Sequence, residues 1–305
     1  KEILKHWNNS AISPGTPFME RLTNKIIEFC KTYETKVKIY FSSAYTPGEG
    51  EHKILQHIRN SDKDYKYVIY GLDADLIFLA LSSNKDNIYL LRESQEIKSK
   101  NNDIFSFVNI DILKDCIFNE INSNLNSEFI ERKLDKNRVI NDFIFICYFL
   151  GNDFLPHIPS LDIRMYSKDL KNKIDLIIEV YTDIFKETRE YIINKEGGVK
   201  LNLAFIIKFI NKLAVYEKNF LIVKSKMKKY KRRCNSNDAY DKEVHKIQNL
   251  GFKIKDPIRL GEGLEKEWKF RYYEHYFHSS FKQAEFIKEM CYQYFIGLYW
   301  VSHYY

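Results

Sequence analysis

The chain has 305 residues, 45% of them hydrophobic and 29% charged, enough to bury one large core or two smaller ones. No apolar run approaches the roughly 20 residues that cross a bilayer, and no signal peptide precedes the first periodic segment, which argues against a membrane-spanning helix and for a cytosolic or nuclear address. The net charge of +7 is local, since seven cations crowd into KSKMKKYKRR between Lys224 and Arg233; such a block reads as a solvated loop or as a phosphate-binding segment.

In chain order, KVKIYFSSAY (Lys36–Tyr45) predicts a strand, TPGEGEHKIL a loop, and the stretch through ILQHIR an amphipathic helix. YKYVIYGLDADLIFLALSS repeats that plan with a strand to Tyr70, a break at Gly71, two aspartates and a buried helix carrying Leu76, Ile77, Leu79, Ala80 and Leu81. NIYLLRE supplies a further strand. Strands alternating with helices predict an α/β fold with a mostly parallel sheet covered on both faces. From Asn109 the pattern turns helical: NIDILKDCIFNEI, RVINDFIFICYFLG, KDLKNKIDLIIEVYTDIFKET and NLAFIIKFINKLAVYEKNFLI, with the turn NDFLPHIPSL between the second and third. An aromatic-rich region runs from about Asn249 to the end. Both ends read as cut, because Lys1 sits inside a helical pattern and Tyr305 stops without a cap, so further sequence is expected on both sides.

Cys30, Cys116, Cys147, Cys234 and Cys291 are scattered without a C-x-x-C pair and read as reduced core thiols; the eight histidines are as dispersed. A zinc cluster is unsupported, and any metal is expected on oxygen ligands.

Carboxylates cluster where such ligands belong, at the carboxyl ends of strands. Glu49 and Glu51 follow the first predicted strand, Asp73 and Asp75 the second, and Asp153 sits in a turn bracketed by Gly151 and Pro156. On a helix, residues two apart diverge, whereas on an extended segment they share a side. Gly50 is therefore expected to keep its segment non-helical so that Glu49 and Glu51 converge, and DAD follows the same logic. Converging carboxylates resist ionisation unless a cation sits among them, and Mg²⁺ suits hard oxygen donors and substrate phosphate. Each motif also has a structural reading as a cap or turn.

These words together resemble a known family. NNSAISPGTPFMERL, SSAYTPGEGEHKIL, VIYGLDADLIFLAL, IYLLRE, INDFIFICYFLGNDFLPHIPSLDIR and WKFRYYEHYF fall in one order along nearly the whole chain and are similar to the Xrn-type 5′→3′ exoribonucleases. The resemblance implies a PIN/flap-nuclease-like α/β core followed by a largely helical region. It also implies Mg²⁺ or Mn²⁺, as two ions, and processive removal of nucleotides from single-stranded RNA bearing a 5′-monophosphate. The family's metal-site acids fall on Glu49, Glu51, Asp73, Asp75 and Asp153. Its further acids and basic phosphate pocket lie upstream of SPGTPFM and are outside this chain, so the residues given do not assemble the whole site alone. LDIR and DPIRLGEG look more like the nuclear branch than the cytoplasmic one, implying RNA processing, surveillance and transcription termination with an activating protein partner. The expected organisation is a nuclease core over residues 1–160, a helical extension over 161–223, a basic linker over 224–248 and an aromatic-rich second conserved region over 249–305.

Candidate RNA contacts are His52, Lys53, Arg92 and Trp268, the last flanked by Lys266, Lys269 and Arg271. Against them stand bland readings: Lys53 as a surface residue, Arg92 as a surface pair with Glu93, His157 as a packed turn histidine, and Phe143, Phe145, Tyr148 and Phe149 as core. Two other functions remain open, an RNA-binding or scaffold protein without turnover, and a flap or DNA nuclease on the same core.

Overall fold

The computed structural model describes residues 8–61, 64–93, 105–125, 134–163, 170–228, 234, 236–248, 256–279 and 284–305. The chain divides into two compact units, Lys1–Tyr65 and Lys66–Tyr305, a split that falls inside the expected 1–160 core.

In the first unit, α1 (Pro17–Thr32) begins where Thr16 Oγ1 accepts the Met19 N–H at 3.3 Å, with proline in the first turn where its missing donor costs nothing. α2 (Gly50–Arg59) buries Leu55 and Ile58. The strand expected over Lys36–Tyr45 does not form. Val37 is 72% exposed and Tyr40 69% exposed, and no ladder partner for the segment exists among the described residues. β-branched and aromatic composition makes a strand only where a neighbouring backbone accepts its hydrogen bonds.

The second unit opens with β1 (Tyr67–Tyr70), α3 (Asp75–Ser82), β2 (Ile88–Glu93) and β3 (Phe105–Asn109). β1 pairs parallel with β2, Tyr67 opposite Ile88, and β2 pairs antiparallel with β3, Leu91 opposite Phe107. The α/β class holds, and among the described residues the sheet joins one parallel pair to one antiparallel pair. Ile69, Ile88 and Leu90 are buried, and α3 and α4 (Ile110–Asn124) pack against β2. On the other face Val68, Tyr70 and Phe107 stay exposed.

The helical region follows as α5 (Lys136–Cys147), α6 (Lys173–Thr188), the hairpin β4 (Ile193–Asn194) and β5 (Lys200–Leu201), α7 (Leu203–Lys228), α8 (Ala239–Gln248), α9 (Glu265–Phe277) and α10 (Ala284–Tyr304). Phe145, Tyr148 and Phe149 are buried, as their helical spacing requires. Asp142, fully buried on α5, ties three elements together. Its Oδ2 accepts from the Tyr181 hydroxyl at 2.9 Å and the Ile192 N–H at 2.8 Å, and its Oδ1 accepts from the Ile193 N–H at 2.8 Å. Of the cysteines only Cys147 is buried; Cys116 and Cys291 are exposed, so the core reading fails for them.

The expected basic linker is partly helical. Residues 224–228 complete α7, and Ala239–Gln248 form α8. Within the basic block, Lys224 Nζ donates to Asp162 Oδ2 at 3.1 Å and to the Pro159 carbonyl at 3.3 Å, while residues 229–233 lie outside the described residues.

Candidate metal centre and its surroundings

Glu49, Glu51 and His52 each offer a ligand atom, and all three atoms lie within 4.8 Å of one another. The convergence that the sequence suggested is present, but its cause differs. Glu49 is the N-cap of α2, with extended backbone (φ −72°, ψ 153°), and Gly50 is already the first helical residue. The glycine in the left-handed region is Gly48, at φ +96°. Gly48 turns the chain, Glu49 remains extended, and Glu51 and His52 project from the first helical turn. Lys53, a candidate RNA contact, donates from Nζ to the Ser43 carbonyl at 3.1 Å and so fastens the preceding loop.

The donor set, two hard carboxylates and an imidazole at a helix start, fits a divalent cation such as Mg²⁺ or Mn²⁺. The N-terminus of a helix also favours anions.

In the second unit, Asp73 and Asp75 stand at the carboxyl end of β1, as expected for a parallel strand. They are not equivalent. Ala74 between them is helical (φ −71°, ψ −27°), so the pair does not share one side of an extended segment. Asp73 is exposed, and its Oδ1 accepts the Asp75 N–H at 3.2 Å; Asp75 is 9% exposed. The Tyr305 hydroxyl donates to Asp75 Oδ2 at 2.5 Å, and Tyr148 stacks on the Tyr305 ring at 5.7 Å with 27° between planes. Burial first, then the hydrogen bond to Asp75, pushes the Tyr305 hydroxyl far up, and Asp153 adds to the same push. Tyr305 therefore feels both Asp75 and Asp153.

Asp153 itself is exposed. Its neighbour Asn152 builds the turn, accepting through Oδ1 from Phe154 N–H at 2.9 Å and Leu155 N–H at 2.8 Å. Gly151 enters that turn at φ +96°, and a Cβ there would meet the His157 nitrogen at 3.0 Å. Among the described residues, Asp73, Asp75 and Asp153 do not gather into a three-ligand group as Glu49, Glu51 and His52 do.

Arg92, read as an RNA contact or a surface pair, donates instead from its guanidinium to the Leu72 carbonyl at 3.0 Å, holding the loop that carries Asp73. Glu93 takes the Tyr70 hydroxyl at 2.7 Å. Trp268 is 3% exposed, so it presents no face on which a base can stack. Its flanking Arg271 is spent on backbone, donating to the carbonyls of Ile258, Arg259 and Glu262. Sequence reasoning missed Tyr305, because an aromatic among many carries no positional signal until α10 brings it to β1's end.

Comparison with known proteins gives a consistent result. Residues 1–94 match the family described as XRN 5'-3' exonuclease N-terminus, and residues 133–254 and 223–305 match that described as Xrn1 helical domain. Among curated proteins, the chain is 33% identical over 247 residues to the 5'-3' exoribonuclease 2 of Debaryomyces hansenii, covering 70% of this chain and 23% of that protein. It is 32% identical over 257 residues to the protein of the same name from Yarrowia lipolytica, covering 79% and 24%, and 31% identical over 294 residues to that of Candida glabrata, covering 86% and 28%. The chain thus spans about a quarter of the length of the curated relatives it matches.

Proposed function

The chain belongs to the Xrn family of 5′→3′ exonucleases, and on that premise we propose that the protein hydrolyses single-stranded RNA from a 5′-monophosphate end and releases mononucleotides. The relatives' shared name favours RNA over DNA as substrate and the nuclear branch as its setting; no helix among the described residues is long and apolar enough to cross a membrane. RNA processing and decay with an activating protein partner are the corresponding roles.

The proposed ligands for Mg²⁺ or Mn²⁺, as two ions, are Glu49, Glu51, Asp73, Asp75 and Asp153. The observation that carries the reading is the gathering of Glu49, Glu51 and His52 within 4.8 Å, inside the segment that matches the exonuclease N-terminus. Bound ions supply charge stabilisation at the scissile phosphate and a water of lowered pKa. The chain's own residues do the positioning. Lys53 fixes the loop before α2, Arg92 fixes the loop before α3, and Tyr305 holds the Asp75 carboxylate in one orientation.

The test compares full-length protein on RNA and DNA strands with 5′-phosphate or 5′-hydroxyl ends in Mg²⁺. Mononucleotide release from 5′-phosphorylated RNA, abolished by chelator, is expected. RNA binding without release would leave a scaffold, and equal cleavage of DNA would make it a flap-type nuclease.

A further inference from the structure

In the second unit, α7 and α9 border a surface groove of about 410 Å³ lined by Lys218, Leu264, Glu265, Lys266 and Lys269. Three lysines and one glutamate line it; Lys269 Nζ lies 2.6 Å from Glu265 Oε1, and Glu217 on α7 also interacts with Lys269 and Glu265. With Glu217 counted, the local balance is +1, three cations less two anions. Lys269 Nζ lies 5.6 Å from the ring centre of Trp268, and the loop before α9 is clamped by Arg271.

We propose that Lys218, Lys266 and Lys269 form a phosphate-contact site for the backbone of bound single-stranded RNA. The inference rests on RNA being the substrate. The lining chemistry decides what kind of contact this is. Lysines are point charges without the planar fork that reads a base edge, and no Asn, Gln or Arg lines the groove to supply such reading. Contact with phosphates, blind to sequence, is what remains, and it suits an enzyme that must pass every nucleotide. Leu264, 61% exposed at the groove, offers apolar surface to a sugar or base edge. Lys226 also stands exposed on α7, eight residues beyond Lys218 and about 12 Å along the helix axis. This places RNA contact on different residues from the buried Trp268 that the sequence suggested.

The test measures affinity of full-length protein for 5′-phosphorylated RNA against salt, in chelator, so that no turnover occurs. Lys218→Gln/Lys266→Gln/Lys269→Gln removes three charges while keeping good helix formers. Each phosphate contact on a single strand contributes roughly 0.7 to the salt slope, so the variant is expected to lower the slope by about 2 and to weaken binding for every sequence. Lys25→Gln/Lys31→Gln/Lys36→Gln, an equal charge change on exposed residues of the first unit, is expected to leave the slope near wild type. The single variant Lys266→Glu, which perturbs packing least, is expected to weaken binding in the same direction. An unchanged slope in the groove variant, or an equal drop in both triple variants, overturns the site. Because binding is read without hydrolysis, a lowered slope in a protein that never cleaves RNA removes only the exonuclease reading. Cleavage with an unchanged slope removes only the groove.

Discussion

The Tyr305 hydroxyl donates to Asp75 Oδ2 at 2.5 Å, joining the end of α10 to the first residue of α3. Asp75 is 9% exposed, and the stacked Tyr148 keeps the phenol in line. Removing the hydroxyl alone should loosen a proposed metal ligand without emptying the space. Tyr305→Phe is expected to cost about 1.5–3 kcal/mol of stability, as for a hydrogen bond to a charged acceptor. It is also expected to raise the divalent-ion concentration for half-maximal activity about 10–100-fold, as loss of a ligand's orienting partner does. Urea unfolding and calorimetric Mn²⁺ titration read the two effects; an unchanged ion requirement would make Tyr305 purely structural.

The turn before α2 makes opposite predictions for two glycines. Gly50 is helical, and a Cβ there meets nothing within 4 Å, so Gly50→Ala is expected to be neutral or to stabilise by up to about 1 kcal/mol. Gly48 sits at φ +96°, where an L side chain is strained, and Gly48→Ala is expected to cost about 1–2 kcal/mol and to displace Glu49. Denaturant midpoints of the two variants check the order.

Asp142 links stability to pH. Its carboxyl is pushed up to about 7, chiefly by burial, against the opposing hydrogen bonds from Ile192, Ile193 and Tyr181. Between about pH 4, where an unfolded carboxylate ionises, and about pH 7, the native state keeps a proton that the unfolded chain has lost. This group's contribution therefore falls as pH rises through that window and is flat above it. The unfolding free energy of wild type minus that of Asp142→Asn is expected to decline by a few kcal/mol (order of magnitude) from pH 4 to 7, measured by urea unfolding across pH.

Lys173 carries the opposite sign. Lys173 is 2% exposed, and its ammonium lies 3.3 Å from the Phe220 ring centre with no hydrogen-bond partner among the described residues. Burial pushes its pKa down to about 8, with Lys224 adding to the effect and Asp162 opposing it. The unfolded chain holds its proton to about pH 10, so the group's contribution rises as pH climbs from about 8 toward that value. Lys173→Met is expected to stabilise the protein at pH 7 by about 1–3 kcal/mol, with the gain shrinking toward pH 10. Thermal melts at pH 7 and pH 9.5 decide it.

Trp268 separates packing from recognition. Emptying a 3% exposed indole site by Trp268→Ala is expected to cost about 3–5 kcal/mol, while the folded fraction binds RNA as wild type does. Filter binding below the melting temperature is the check.

What the sequence made legible follows from where information is local. The strand before DAD, the buried helix after it and the long apolar helices carry their periods within a dozen residues, and β1, α3, α5 and α6 formed accordingly. The grouping of Glu49 with Glu51 was legible from spacing, but the responsible glycine was misassigned, because spacing does not report φ. Lys36–Tyr45 misled for the converse reason: strand propensity is intrinsic to the segment, while pairing depends on a neighbour that the segment does not specify. Tyr305 and Asp75 are separated by most of the chain, and nothing local in either marks the other. Residue type alone singles out Arg92 and Trp268, and it reports neither the Leu72 carbonyl that Arg92 meets nor the burial of Trp268.

Glu49, Glu51, Asp73, Asp75 and Asp153 are proposed to serve metal-dependent hydrolysis of RNA from its 5′ end. The most direct measurement is mononucleotide release from 5′-monophosphorylated RNA by full-length protein in Mg²⁺, for wild type, Glu51→Gln and Asp75→Asn, with RNA affinity measured alongside. Loss of a metal ligand forfeits several kcal/mol of stabilisation, so release is expected to fall about 100-fold or more in each variant while RNA binding persists. Undiminished release in either variant would contradict the account.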